Sequence, residues 1–318
     1  MDKSKLPQFH RRFLLPRFWP TWLALGFFWL IAQLPVRANQ AVGGVLGRLL
    51  LVLAPARKRY AEINITRCFP ELDAEAQAKM VRGAVISCGL SISETAMALW
   101  GSENKMRNRY SISGLEHIQQ AQAEGKGILL CGSHLTTIDI SGLMMSYHIV
   151  ADVLYRADPN PLMAYAIASA RARVNDNAIH RNDTRQLIKN LRQGHIVWYA
   201  PDQDYGRDHS IFAPFFGVQA ATVVATARIA RMSHCAVIPF FCFREPKGRY
   251  RLEIQPALEN FPSGDDLADA TRINKIIEEA IRQAPDQYLW VHRRFKTRPE
   301  GEASFYPPKK KSRARPQL

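Results

Sequence analysis

The sequence predicts an α/β domain, a central and mostly parallel sheet flanked by helices, carried behind an N-terminal membrane-anchor helix. Three observations lead there. Candidate strands at 128–131, 150–155, 196–200, 236–243 and 250–255 alternate with stretches of helical periodicity. The first of them, Ile-Leu-Leu-Cys, is apolar at every position, which suits a strand buried on both faces. Residues 18–36 carry no charge, near the length that crosses a bilayer core.

Taken in order, residues 1–17 are basic and polar, with Lys3, Lys5, Arg11, Arg12 and Arg17. Trp19 and Trp22 at the start of the uncharged run suit an interfacial belt. No A-x-A cleavage site follows, so the segment reads as a retained anchor. Arg37, Arg48, Arg57, Lys58 and Arg59 lie beyond it, so basic residues flank both ends and do not orient the span. Residues 41–54, Gly-rich and broken only by Arg48, are too short to cross and read as an interfacial or core helix. A long helix is expected over 73–99 and another over 114–124. Later helices are expected at 159–172, 183–193, 219–232 and 267–283. The division is an anchor region at 1–56, the α/β domain at 57–305, and a basic tail at 306–318 whose composition predicts disorder.

With 318 residues and 47% apolar composition, the chain can build one large domain plus an extra segment. Its net charge of +15 calls for an anionic partner. The five cysteines lack C-x-x-C spacing and read as buried thiols in a reducing compartment. The nine histidines show no paired-ligand spacing, so neither metal nor cofactor is expected. No dinucleotide glycine fingerprint, P-loop or nucleic-acid motif is present. The basic charge is therefore assigned to a membrane and to acidic substrates.

Gly132 and Ser133 close the first strand, and Thr136 or Thr137 offers an N-cap to a helix carrying Ile138, Ile140, Leu143 and Met144. His134 then sits in a tight turn at the carboxyl end of a central strand, the edge where open α/β sheets bind ligands. Five positions on is Asp139. On one helix the two would face apart. They meet only if His134 precedes the helix and Asp139 is in its first turn. Asp139 would then fix the imidazole tautomer and leave the other nitrogen as a general base. The alternative is a first-turn acid favoured by the helix dipole beside a loop histidine, and the spacing alone does not separate the two.

Other polar strand ends could converge on this turn: Tyr155-Arg156, the Asp202 to Gly206 stretch with Asp204, and Phe215-Phe216-Gly217 leading into the 219–232 helix. Arg171 and Arg173 are candidates to face a phosphate, and Arg181, Arg185, Lys189 and Arg192 form one basic helical stripe. There is no G-x-S-x-G elbow, Ser133 points away from its neighbour His134, and Cys131 lies inside a buried strand. A lone histidine and carboxylate suit direct attack by a substrate hydroxyl.

Several segments together resemble the lipid A biosynthesis acyltransferases, most of all their lauroyl transferase branch. They are PRFWPTWLALGFFWLIAQLP, RCFPEL at 67–72, GILLCGSHLTTID, YRADPNPL at 155–162, VWYAPDQDYG at 197–206, FFGVQAAT at 215–222, ARMSHCAVIPF and QYLWVHRRFKTRPEG at 287–301. The resemblance covers about residues 6 to 305, and the tail lies outside it. It implies a monomeric single-pass inner-membrane enzyme with its catalytic domain in the cytoplasm. Acyl carrier protein would donate the chain, and Kdo2-lipid IVA would accept it on a 3-hydroxyacyl hydroxyl. His134 and Asp139 would be catalytic, with substrate contacts from Arg156, Arg171, Asp202, Asp204, Phe216 and Gly217. Oxyanion donors are expected from the first amides of the helix after His134. A glycerophospholipid acyltransferase shares the H-x-x-x-x-D spacing, but no P-E-G-T-R stretch is present. A non-catalytic lipid-binding protein is the rival from another class.

Overall fold

The uncharged run at 18–36 folds as one helix, α1 (Trp19–Gln33), and a second, α2 (Val36–Leu53), begins at its last residue. Pro35 forces the break: it disfavours helix at Leu34 and cannot continue one itself. The helix expected over 18–36 is therefore shorter and ends at Gln33. The 15 residues of α1 are about 22 Å long, short of the roughly 30 Å hydrocarbon core. The helix expected at 41–54 begins earlier, at Val36, and its 18 residues make it, unlike the expected segment, long and apolar enough to cross a membrane. The computed structural model describes residues 8–155, 158–171 and 178–308, so most of the basic tail lies outside the described residues.

After α3 (Pro55–Cys68) comes α4 (Ala74–Trp100), started by Asp73, whose carboxylate accepts from the Ala76 amide at 2.8 Å. Such a cap contributes about 1 kcal/mol. Helix α2 crosses α4 at backbone contact. A Cβ on Gly89 would stand 2.1 Å from the Gly47 nitrogen, and one on Gly43 would stand 2.4 Å from Ser93 Oγ. Only glycine permits this approach.

The remaining helices are α5 (Leu115–Ala123), α6 (Ile138–Met145), α7 (Pro161–Arg171), α8 (Thr184–Arg192), α9 (Ala225–Ser233) and α10 (Asp266–Gln283). The strands are β1 (Tyr110–Ser113), β2 (Ile128–Cys131), β3 (Ala151–Tyr155), β4 (Ala178–His180), β5 (Ile196–Tyr199), β6 (Ser210–Phe215), β7 (Val218–Val223), β8 (Ala236–Glu245) and β9 (Arg249–Ile254). Seven of them form one sheet in the order β1-β9-β8-β2-β5-β3-β4, parallel throughout except between β8 and β9. All five expected strands are present. The expected helix over 219–232 is shorter: its first part is β7, paired with β6 across a turn in which Phe216 and Gly217 take φ of 49° and 74°.

Strand β2 is the central strand and is wholly buried, so it feeds a core on each face. Leu129 and Cys131 join Val197 and Phe241 under α8, α9 and α10; Ile128 and Leu130 join Ile196 and Phe240 under α5 and α6. Burying one such leucine contributes about 2 kcal/mol. Packing extends past residue 305: Tyr306 is buried, and its hydroxyl donates to Asn64 Oδ1 at 2.5 Å.

Candidate active site

Strands β2 and β5 are parallel neighbours with Cys131 opposite Tyr199. His134 lies three residues past the first and Asp202 three past the second, so equal overshoot brings them to the same point of the carboxyl edge. The contact is two-handed. His134 Nδ1–H donates to Asp202 Oδ1 at 2.6 Å, and the His134 amide donates to Asp202 Oδ2 at 2.8 Å. Asp202 is buried, while the His134 side chain keeps 24% exposure. With Nδ1 committed, Nε2 is the nitrogen left to accept a proton.

This corrects the expected dyad. The carboxylate that orients His134 is Asp202. Asp139 does lie in the first turn of α6, but its oxygens are engaged elsewhere: Oδ2 accepts from Thr95 Oγ1 at 2.7 Å and Oδ1 from Arg171 Nη2 at 3.3 Å. The N-cap is one of the two threonines expected, without a side-chain capping bond. Thr137 occupies that position, yet its hydroxyl donates to the Cys242 carbonyl at 2.5 Å, and the Thr136 hydroxyl is 2.6 Å from that of Ser87.

Burial by itself would push the His134 imidazole below its ordinary pKa. The Asp202 charge and hydrogen bond more than offset this and hold it above. For Asp202 burial raises and His134 lowers, and the ion pair wins, keeping the carboxyl below its usual range. His292 is pushed down to about 4, first by burial and then by the neighbouring charge of His134. Burial pushes the Cys131 thiol up to about 12, aided by Asp202, which removes it as a nucleophile.

Beneath the first turn of α6 is a cavity of about 130 Å³ on the face of the sheet that α6 covers. Its walls are mainly apolar, with Leu130, Val153, Trp198, Phe240 and Met145 among them; Asp139 and Arg171 are its charged lining residues among those described. Arg171 ends α7, which packs on α1 through Leu162 and Leu25 and through the Asn160 to Thr21 hydrogen bond.

The other expected contacts divide. Asp204 is turned away into structure: it accepts from the Thr297 amide at 2.7 Å, the Thr297 hydroxyl at 2.9 Å and the Gly206 amide at 2.9 Å. Phe216 packs on Phe69 and Trp290 in the core of the opposite sheet face, and neither it nor Gly217 lines the cavity. Arg156 and Arg173 lie outside the described residues. Thr95 had no sequence signal, being one polar residue in a long helix. Among the described residues no three His, Cys, Asp or Glu side chains group as a metal site.

An imidazole held by a buried carboxylate can deprotonate an alcohol, and an apolar cavity lined by Asp139 and Arg171 can take an alkyl chain; His134 and Asp202 are not among the residues that line it. The family profile described as Bacterial lipid A biosynthesis acyltransferase matches residues 6–297. The chain is 39% identical to the Lipid A biosynthesis lauroyltransferase of Escherichia coli (strain K12), over 95% of this chain and 100% of that protein. It is 38% identical to the palmitoleoyltransferase of the same organism, over 94% and 98%. Identity to its myristoyltransferase is 28%, over 96% and 95%.

Proposed function

Because the chain belongs to the bacterial lipid A biosynthesis acyltransferases, we propose that it moves a fatty acyl chain, laurate foremost, from acyl carrier protein to a 3-hydroxyacyl hydroxyl of Kdo2-lipid IVA. The observation that carries this reading is His134 seated on Asp202 at the carboxyl edge of the sheet, with an apolar cavity under α6 that Asp139 and Arg171 line and that His134 itself does not. Nε2 takes the proton of the acceptor hydroxyl as its oxygen attacks the thioester carbonyl. An ester bond forms, the carbon–sulfur bond breaks, and the imidazolium returns the proton to the departing sulfur. Asp202 holds the ring and offsets its transient charge. The amides of Asp139 and Ile140, in the first turn of α6, are the candidates to receive the oxyanion. Asp139 holds Arg171 at the rim, where a guanidinium suits anionic headgroup atoms.

The test is direct. Membranes containing the protein are incubated with acyl carrier proteins bearing C10 to C16 chains and with the tetra-acylated acceptor, and the product is read by mass spectrometry. An added acyloxyacyl ester supports the reading. Transfer to lysophospholipid alone, or no turnover, overturns it.

The cavity is read as the acyl site. Gly142 lines it, and a Cβ there meets nothing within 4 Å. Gly142→Leu is expected to fill the space and favour shorter chains. Losing room for two methylenes, at ~0.8 kcal/mol each, lowers the laurate-to-decanoate rate ratio by about tenfold. An unchanged ratio in competition assays would place the chain elsewhere.

For the membrane, the exposed faces of α1 and α2 carry Trp19, Leu23, Phe27, Leu30, Leu49, Val52 and Leu53, while their other sides pack on α4 or its neighbours. We read these helices as the seat of the domain on the inner membrane, with Arg11, Arg12 and Arg17 at the headgroups. The double variant Leu23→Glu, Leu30→Glu is expected to stop flotation with anionic vesicles; co-flotation at the wild-type level would reject this seat.

A further inference from the structure

The turn that carries His134 is held from its far side by buried groups that touch neither the cavity nor the imidazole. Arg244, near the end of β8, donates from Nε and Nη2 to the two carboxylate oxygens of Glu94 on α4, at 2.7 and 2.6 Å. Its Nη1 donates to Ser87 Oγ at 2.9 Å, and that hydroxyl is 2.6 Å from Thr136 Oγ1. The same turn is tied through Gln287. Its side chain bonds both the Arg244 amide and the Arg244 carbonyl, at 2.7 and 2.9 Å, and its backbone carbonyl accepts from the Thr136 amide at 2.7 Å. Glu94, Ser87 and Thr136 are buried.

A buried ion pair is a weak source of net stability, since apolar residues of the same volume often do as well. What this one supplies is geometry: Glu94 fixes the guanidinium, which reaches Thr136, two residues from the proposed base, through Ser87 and by a longer contact of 3.5 Å from Nη2. We propose that Arg244 and Glu94 are positioning residues, which lock Thr136 so that the His134 ring stands on Asp202. This rests on the reading of His134 as the base. The groups facing the imidazole are Asp202 from the β5 loop and His292 from the C-terminal segment, with Arg294 acting on Asp202.

The test uses the full-length enzyme in membranes, with Arg244→Lys, Thr136→Val and Thr136→Ser. Lysine keeps the charge but cannot bond two carboxylate oxygens and a hydroxyl together. Arg244→Lys is expected to lower kcat at least tenfold with KM for both substrates within twofold. The acid limb of kcat/KM should move to lower pH, because an imidazole loosened from Asp202 keeps its burial and loses its counter-charge. In an Asp202→Asn background the same change should cost less than twofold further. Thr136→Val leaves the ion pair untouched and should act in the same direction; Thr136→Ser should restore the wild-type rate within twofold. If Arg244→Lys does not fold, the threonine pair carries the test. Unchanged kcat, a loss confined to KM, an unmoved acid limb, or equal losses with and without Asp202 overturns the proposal. Near-normal activity of His134→Ala in the same assay overturns the base reading itself; an inactive His134→Ala beside an unaffected Arg244→Lys rejects positioning alone.

Discussion

His134→Ala is expected to reduce acyl transfer by about 10³-fold, within the 10²–10⁴ that a positioned general base contributes. Among the described residues its neighbours at the edge do not replace it. The neighbouring His292 is already driven low by burial, Cys131 is buried with its thiol pushed up to about 12, and Asp202 is acid-depressed and enclosed. The variant also strips a buried carboxylate of its charged partner, so stability should fall by about 1–3 kcal/mol. Thermal unfolding must therefore be measured beside initial rates. The loss of rate should exceed what the folded fraction explains; a rate within tenfold of wild type would assign the base elsewhere.

Asp202→Asn is expected to lower kcat by about 10²–10⁴, as loss of an imidazole's orienting carboxylate does in serine proteases. An amide there no longer offsets the imidazolium. The sign in pH follows from the two influences on His134. Burial lowers its pKa and Asp202 raises it above the ordinary value of about 6.5. The base must be neutral, so wild-type kcat/KM should fall as pH drops through that raised pKa. With the carboxylate gone, only burial remains and the limb should move below the ordinary value. Stability should respond too. The raised imidazole stabilises the fold below about pH 6.5 and loses this as pH rises through its folded pKa; the depressed carboxyl stabilises above about pH 4 and loses this as pH falls. The pair thus contributes most between those limits, and Asp202→Asn should flatten the stability profile there. Calorimetry across that range would detect it.

Much of the fold was legible because its signals are local. The continuous apolar run at 128–131 requires a doubly buried strand, and Asp73 marks the start of α4 as its carboxylate does in the structure. The break at Leu34–Pro35 is also written in the sequence, but absence of charge carries the expected span past it to Val36 and places the start of the second helix at 41, where the structure has it at Val36. Strands β1, β4, β6 and β7 carry no such local signal. The first two are short edge strands, and the β6–β7 turn uses a Phe216 at positive φ, a conformation that side-chain type does not advertise.

The site divided along the same line. His134 at the end of a central strand follows from local pattern. Its partner does not, because two carboxylates were available and only strand register chooses between them. Asp139 is close in sequence, yet the first turn of α6 points it at Thr95 and Arg171. Asp202 is distant in sequence, yet β5 delivers it alongside. Asp204, two residues on, shares its composition but folds back on Thr297.

The pH dependence of kcat/KM in wild type, Asp202→Asn and Asp139→Asn separates the two carboxylates. The account predicts an acid limb that moves to lower pH for Asp202→Asn and stays in place for Asp139→Asn. A limb that moves with Asp139→Asn and not with Asp202→Asn would contradict it.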